Sequence, residues 1–130
     1  MNTLTYLSND HQKFFETQLD RYNVFGYDCE RIALFYVLGL SETLRTHIDE
    51  LYDEGGIHLQ ATQLEFQTSG TRALTRFAFV LYNNFREPSR EDENIFCSPS
   101  LLDIFCSVDR ELIPFMYQAI SIRLGLISIM

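Results

Sequence analysis

Hydrophobic and polar residues repeat mainly at helical spacing along this chain, and the pattern predicts six helices. The first is predicted from a cap at Ser8 to about Tyr22, and the second from a cap at Asp28 to a left-handed stop at Gly39. Because the run Ile32–Leu38 is apolar on all sides, we expect the second helix to be the buried centre of the core.

The third helix is predicted to begin at Ser41 and to carry Leu44, Ile48 and Leu51 on one face before Gly55-Gly56 ends it. Residues 57–66 fit either a strand-like connection or a helical turn, so we assign no sheet there. This part of the chain is therefore expected to be helical up to the two glycines and irregular after them.

The clearest amphipathic pattern runs from Leu74 to Phe85 and predicts a fourth helix that ends near Asn83-Asn84. A fifth, short helix is predicted from Ser98-Pro99 to about Cys106. The sixth is predicted to be capped by Asp109. Its expected packed side chains are Phe115, Ala119, Ile122 and Leu124.

The composition is that of one globular domain. Of the 130 residues, 46% are hydrophobic and 22% are charged, unlike the highly charged composition of disordered chains. We predict a mainly α, single-domain bundle over residues 1–130, with little or no sheet and a flexible charged loop at 86–94. Cys29, Cys97 and Cys106 show no paired spacing and are expected to be small buried hydrophobic side chains.

The N-terminal residues lack the basic-then-apolar pattern of a secretory signal, and the longest apolar run, Ile32–Leu40, is too short to cross a bilayer. We therefore expect a cytoplasmic protein without a membrane partner. The apolar tail Leu126–Met130 and the many aromatic residues further suggest a homodimer.

Charge is distributed unevenly within a net charge of -8. Acidic residues concentrate in Ser41–Glu65 and Arg86–Glu111, whereas Gln67–Phe85 contains Arg72 and Arg76 and no acid. Direct nucleic-acid binding is not expected, because phosphates repel such a chain. A protein partner with a basic surface fits better, although the same charge could serve only solubility. The acidic residues assigned to this surface are Asp49, Glu50, Asp53, Glu54, Glu87, Glu91, Asp92 and Glu93.

The start of the fourth predicted helix is a candidate anion site. Amides at a helix start, hydroxyl groups and arginines together suit a phosphate or a carboxylate. The alternative is an ordinary helix cap in which Thr68 or Ser69 closes the turn and the arginines pair with nearby acids. The residues of this candidate site are Gln67, Thr68, Ser69, Thr71, Arg72 and Arg76.

Catalytic and metal-binding patterns are weak. His47, Glu50 and Asp53 form only part of a metal site, and no second histidine nearby completes it. His11 and His58 stand alone in sequence and are expected to be surface or capping residues. No nucleophile motif occurs, so the sequence favours a non-enzymatic protein without metal or cofactor, although it leaves catalysis open.

Several short phrases resemble a family of small uncharacterised proteins, a domain of unknown function, from Gram-positive bacteria and their mobile elements and phages. The phrases include Leu38-Gly39-Leu40-Ser41-Glu42-Thr43, Gln67-Thr68-Ser69, Arg76-Phe77-Ala78-Phe79 and Ile95-Phe96-Cys97. The chain departs from the pattern at Phe66, where tryptophan is common, and at Leu44, where a polar or basic residue is usual. The resemblance implies a bacterial or phage setting and a compact protein, and it assigns no catalytic residue.

Two functions follow as hypotheses. In the first, the acidic surface binds a basic surface on another protein, as an inhibitor of a host defence protein such as a nuclease would do. In the second, the helix start at Thr68–Arg72 binds an anion or a nucleotide.

Overall fold

The fold is mainly α-helical, as the sequence predicted, with two very short antiparallel strand pairs. A computed structural model describes residues 3–92, 94–127 and 129. The elements are α1 (Asn9–Arg21), α2 (Cys29–Leu38), α3 (Glu42–Thr46), α4 (Ile48–Leu51), β1 (Tyr52–Asp53), β2 (Gly56–Ile57), α5 (Ser69–Asn83), β3 (Glu87–Pro88), β4 (Phe96–Cys97), α6 (Leu101–Ser107) and α7 (Ile113–Arg123), with 3-10 turns at Ala61–Gln63 and Arg110–Leu112.

Helix α2 is the centre of the core. Every side chain from Ile32 to Leu38 is almost completely buried, and the helix packs against α1, α5 and α7. Asp28 caps it by accepting a hydrogen bond from the Arg31 amide, 3.2 Å away. The prediction that an all-apolar helix lies at the centre is confirmed, because a helix without a polar face can be stable only when other helices surround it.

The predicted ends of α1 and α5 are also confirmed. The Ser8 side chain accepts a hydrogen bond from the His11 amide at the start of α1. Asn84 closes α5 in the left-handed conformation, with φ of 60°. Its amide bonds to the Val80 carbonyl, which satisfies one of the carbonyls that a helix end leaves free.

Two helix boundaries differ from the prediction. The predicted third helix is two short helices, α3 and α4, because the chain leaves helical geometry at His47. Helix α6 begins after Ser100 and not at Ser98-Pro99, and the Ser100 side chain accepts from the Asp103 amide. In both places the residue pattern identified the helical face but not the position of the local cap.

Gly39 does not adopt the left-handed conformation that we predicted, since its φ is -72°. The structure gives another reason for glycine. A Cβ there would lie 2.8 Å from Cδ2 of His11 and 2.9 Å from Cδ1 of Phe14, closer than side chains tolerate. Gly39 therefore permits the close approach of α1 to the end of α2.

The final helix also differs in detail. Asp109 precedes a 3-10 turn instead of capping the helix, and its side chain makes no capping hydrogen bond there. Pro114 lies in the first turn of α7, where its missing amide proton costs nothing. Ala119 and Ile122 are buried as predicted, but Leu124 is exposed because the helix ends at Arg123.

Two further expectations were wrong. Cys97 and Cys106 are exposed and Cys29 is half-buried, so the cysteines are not core side chains. Conversely, His11 is completely buried and is not a surface residue. Its Nδ1 accepts a hydrogen bond from the Leu7 amide at 3.0 Å, and its Nε2 donates to the Tyr36 carbonyl at 2.8 Å. Burial lowers the pKa of His11 below its ordinary value of 6.5.

The two strand pairs join loops to the bundle. Tyr52 pairs with Ile57 and Asp53 with Gly56, while Glu87 pairs with Cys97 and Pro88 with Phe96. The second pair brings part of the charged segment 86–94 back against the chain that leads into α6. Among the described residues, no helix is both long enough and apolar enough to cross a membrane.

The apolar C-terminal tail is only partly exposed to solvent. Leu126 is exposed and Ile127 is buried, while Ser128 and Met130 lie outside the described residues. The homodimer that we inferred from this tail stays a prediction.

Candidate functional site

The start of α5 is closed by its own side chains. Thr68 Oγ1 accepts a hydrogen bond from the Thr71 amide at 3.2 Å, and Thr71 Oγ1 accepts from the Thr68 amide at 2.8 Å. This reciprocal capping box satisfies two of the amides that an anion would otherwise bind. The Thr71 hydroxyl also donates to Gln67 Oε1 at 2.7 Å.

Gln67 is a structural side chain in this arrangement. It is buried, and its Nε2 donates to the Ala61 carbonyl and to Thr75 Oγ1, each at 3.1 Å. Together with the bond from Thr71, these contacts tie the 3-10 turn at Ala61–Gln63 to α5. Gln67 therefore has little remaining capacity to bind a ligand.

The two arginines of the candidate anion site point away from the start of α5. Arg72 Nε donates to the Thr62 carbonyl at 2.8 Å. Arg76 forms a bidentate pair with Glu87, with Nε 3.2 Å from Oε1 and Nη2 3.0 Å from Oε2. The structure therefore groups Gln67, Thr68 and Thr71 together but directs both guanidinium groups to other partners.

A cavity of about 300 Å³ borders the start of α5. Leu40, Leu74 and Leu112 are buried side chains in its wall. Of the described residues that line it, Asp109 and Glu111 are charged, and none is an arginine, lysine or histidine. Carboxylates at this position oppose the binding of a phosphate, so the geometry does not favour the anion-binding hypothesis.

The first acidic segment forms an exposed face that we call the acidic hairpin, consisting of Asp49, Glu50, Asp53 and Glu54. The side chains of Asp49, Glu50 and Asp53 are 73%, 55% and 59% exposed. They lie on α4, on β1 and in the turn between β1 and β2, which the strand pair holds together. Their carboxylates therefore face solvent from an ordered backbone.

Neighbouring basic groups orient three of these carboxylates. Asp49 pairs with Arg21 of α1 at 2.8 Å, and Glu50 lies 3.1 Å from His47 Nδ1. Asp53 pairs with His58 Nε2 at 2.8 Å and also accepts from the Gly55 amide at 2.7 Å. These bonds restrict the side chains without removing them from water. Exposed pairs of this kind contribute only about 0–1 kcal/mol to stability.

The hydrogen bonds of His58 favour its protonated form. Its Nδ1 faces the Glu50 carbonyl at 2.8 Å while its Nε2 faces Asp53, and only an imidazolium can donate to both oxygens. The bond to Asp53 raises the pKa of His58, and the same bond lowers the pKa of Asp53. With Arg21 and His58 both charged, the four carboxylates of the acidic hairpin still leave an excess of negative charge.

The second acidic segment is a weaker candidate. Glu87 is only 17% exposed because it pairs with Arg76, so it is not available to a partner. Glu91 and Asp92 are exposed, and Asp92 Oδ1 accepts from the Asn94 amide. Glu93 lies outside the described residues. Arg86 and Arg90 in the same segment offset much of its negative charge.

The partial metal site inferred from His47, Glu50 and Asp53 does not assemble. Asp53 binds His58, whereas Glu50 pairs with His47. Within residues 3–92, 94–127 and 129, no group of three or more histidine, cysteine, aspartate or glutamate side chains is arranged to hold a metal ion.

The sequence pattern placed His47 beside Glu50 but did not link Arg21 or His58 to the acidic hairpin. Arg21 lies 28 positions before Asp49, and no local pattern links the two. His58 could have been recognised, because it follows Asp53 by five residues across the glycine turn, a spacing typical of a short hairpin.

Residues 1–126 match DUF6075, a family of unknown function. No curated protein and no solved structure matches the chain significantly.

Proposed function

Since the chain belongs to DUF6075, a family of unknown function, we propose a role from its geometry: it binds a basic surface on another protein through the acidic hairpin. The observation that carries this proposal is the set of exposed carboxylates held in fixed positions by Arg21, His47 and His58. A mainly helical domain supports this face, and the proposal requires no catalytic group.

Fixed carboxylates are suited to protein binding for an energetic reason. Ordering a side chain at an interface costs about 0.5–1.5 kcal/mol, and this cost is lower here because Arg21, His47 and His58 already restrict three of the carboxylates before a partner binds. The remaining negative charge steers a basic partner towards the hairpin and increases the rate of association. Charge complementarity thus supports both the speed and the selectivity of binding.

We further propose that the partner is a nucleic-acid-binding protein. Such proteins have basic surfaces built to contact phosphates, and an ordered array of carboxylates can occupy the same surface. The resemblance to proteins of mobile elements and phages favours an inhibitor of a bacterial defence protein, such as a nuclease, in the cytoplasm of the host. This role needs no direct contact between the chain and nucleic acid.

The test is affinity capture from a lysate of the native host. Wild type and an Asp49→Asn/Asp53→Asn/Glu54→Gln variant are immobilised at equal density, and retained proteins are identified by mass spectrometry. We expect a basic nucleic-acid-binding protein on wild type, at least tenfold less on the variant, and progressive loss as salt rises from 50 to 300 mM, because salt screens exposed charges.

A control with the same change in charge separates specific binding from net charge. Glu16→Gln/Asp20→Asn/Glu65→Gln removes three exposed carboxylates outside the acidic hairpin and should retain the partner. Equal retention by all three proteins would contradict the proposal. A thermal shift of wild type with nucleotides tests the anion-binding hypothesis directly, since a ligand at a hundred times its Kd adds about 2.7 kcal/mol of stability.

A further inference from the structure

Two large aromatic side chains are exposed next to each other in the loop between α1 and α2. Phe25 is 60% exposed and Tyr27 is 81% exposed. Their rings are parallel within 2°, with centroids 5.7 Å apart. Single exposed apolar residues are common, but adjacent and mutually stacked aromatic rings form a flat apolar surface that water solvates poorly.

The loop that carries these rings is ordered by hydrogen bonds. Asn23 takes a left-handed conformation with φ of 51°, and the Val24 amide bonds to the Leu19 carbonyl at 2.8 Å. The Asp28 amide bonds to the Phe25 carbonyl at 2.9 Å, just before α2 begins. Val24 packs against the core. The rings are therefore presented from a fixed backbone, which lowers the entropic cost of binding to them.

The loop begins where α1 meets the acidic hairpin. Tyr22, the last residue before the loop, packs edge to face against Tyr52 of β1 with ring centroids 5.1 Å apart. One residue earlier, Arg21 binds Asp49. At the other end of the loop, Asp28 and Glu30 lie at the start of α2. The Asp28 carboxylate is engaged by the Arg31 guanidinium at 2.6 Å, whereas Glu30 is 47% exposed and lies 3.8 Å from Arg123. The exposed carboxylates near the two ends of the loop are therefore those of the acidic hairpin and of Glu30.

This combination selects among basic side chains. A guanidinium group stacks on an aromatic face and forms bidentate bonds with carboxylates, whereas the ammonium group of lysine is a compact, strongly hydrated charge. Aromatic side chains and arginine are also the residues most enriched at the energetic centres of protein interfaces. An arginine of a partner at this end of the molecule would have both aromatic rings and carboxylates to contact.

We infer that Phe25 and Tyr27 form an arginine-binding surface, which together with the acidic hairpin contacts an arginine-rich face of a protein partner. This inference rests on the proposed function and specifies its partner chemistry. The carboxylates supply attraction to any basic surface, and the two rings supply the preference for arginine over lysine.

The experiment measures the binding of two fluorescently labelled peptides, nona-arginine and nona-lysine, by fluorescence anisotropy in 50 mM salt. Both peptides carry the same charge, so their difference reports contacts beyond charge. We expect wild type to bind the arginine peptide about two- to fivefold more tightly for each ring that takes part. A Phe25→Ala/Tyr27→Ala variant should lose most of this preference and keep only the part that bidentate bonds to carboxylates supply.

A matched control removes two exposed apolar side chains elsewhere. Leu102 is 73% exposed and Tyr117 is 60% exposed, so Leu102→Ala/Tyr117→Ala resembles the loop variant in exposure and should keep the arginine preference. Circular dichroism confirms that all variants remain folded. An equal affinity of wild type for the two peptides, or an arginine preference as large in the loop variant as in wild type, would overturn the inference.

The hairpin variant distinguishes this inference from the proposed function. Asp49→Asn/Asp53→Asn/Glu54→Gln should weaken binding of both peptides alike, because it removes the shared attraction. If it does so while wild type shows no arginine preference, the acidic hairpin retains its proposed role and the aromatic pair loses its own. If wild type binds neither peptide, both proposals fail.

Discussion

Gly39→Ala should destabilise the protein, although alanine at this backbone conformation would normally be more stable than glycine. At φ of -72° and ψ of -10° alanine is unstrained, and such a substitution commonly adds about 0.4–1 kcal/mol by restricting the unfolded chain. Here the new methyl group would lie 2.8 Å from the His11 ring and 2.9 Å from the Phe14 ring. Overpacking of this kind costs about 1–3 kcal/mol.

The neighbouring rings have little room to move. His11 is completely buried and is held at both ring nitrogens by the Leu7 amide and the Tyr36 carbonyl, and each such bond contributes about 0.5–1.5 kcal/mol. Moving the ring away from the methyl group would weaken one or both bonds. The clash therefore outweighs the gain in the unfolded state, and we expect a net loss of about 1–2 kcal/mol.

Urea denaturation followed by circular dichroism measures this loss. Gly70→Ala is the matched control, because Gly70 lies in the first turn of α5 and a Cβ there would meet the Ser107 carbonyl oxygen at 3.6 Å and Thr68 Oγ1 at 4.0 Å, which are ordinary contact distances. We expect the control to be as stable as wild type or slightly more stable. A Gly39→Ala protein that matches or exceeds wild type would show that the two rings yield easily, and would refute the reasoning.

Three further outcomes follow from the structure. Leu34→Ala should cost about 2–5 kcal/mol in urea denaturation because the side chain is fully buried in α2, and a loss below about 0.5 kcal/mol would contradict its position. In an NMR titration His11 should titrate below pH 6.5 and His58 above it. The stability that neutral His11 contributes is then lost as pH falls below 6.5. The stability that protonated His58 contributes is lost as pH rises through its raised pKa. Arg72→Ala/Arg76→Ala should melt several degrees lower than wild type, since both side chains make contacts within the chain; an unchanged melting temperature would point to free arginines.

Much of the helical structure was predictable because its causes are local. A residue that closes the first turn of a helix is visible in sequence at Ser8, Asp28 and Thr68, and in α1 and α5 a periodic apolar face follows it. The burial of α2 was predictable for the same reason. Its apolar residues leave no face for water, so the other helices had to surround it.

The contacts and the charge of the candidate sites could not be predicted from local patterns. Thr68 and Arg76 are close in sequence and suggested one anion site, but eight residues of helix separate them by about 12 Å along the axis of α5. The structure turns Arg76 towards Glu87 and leaves Thr68 beside the carboxylates that line the cavity. The sign of the charge at that cavity depends on Asp109 and Glu111, which reach it from a distant part of the chain.

The mainly α fold, the central position of α2 and the excess of negative charge follow from composition and from spacing within single segments, so they are visible in the sequence. The burial of His11, the exposure of Cys97 and Cys106, and the pairing of Arg21 with Asp49 arise only when the helices pack. The physical reason is that burial and ion pairing depend on which helix faces meet, and those contacts join residues that no local pattern connects.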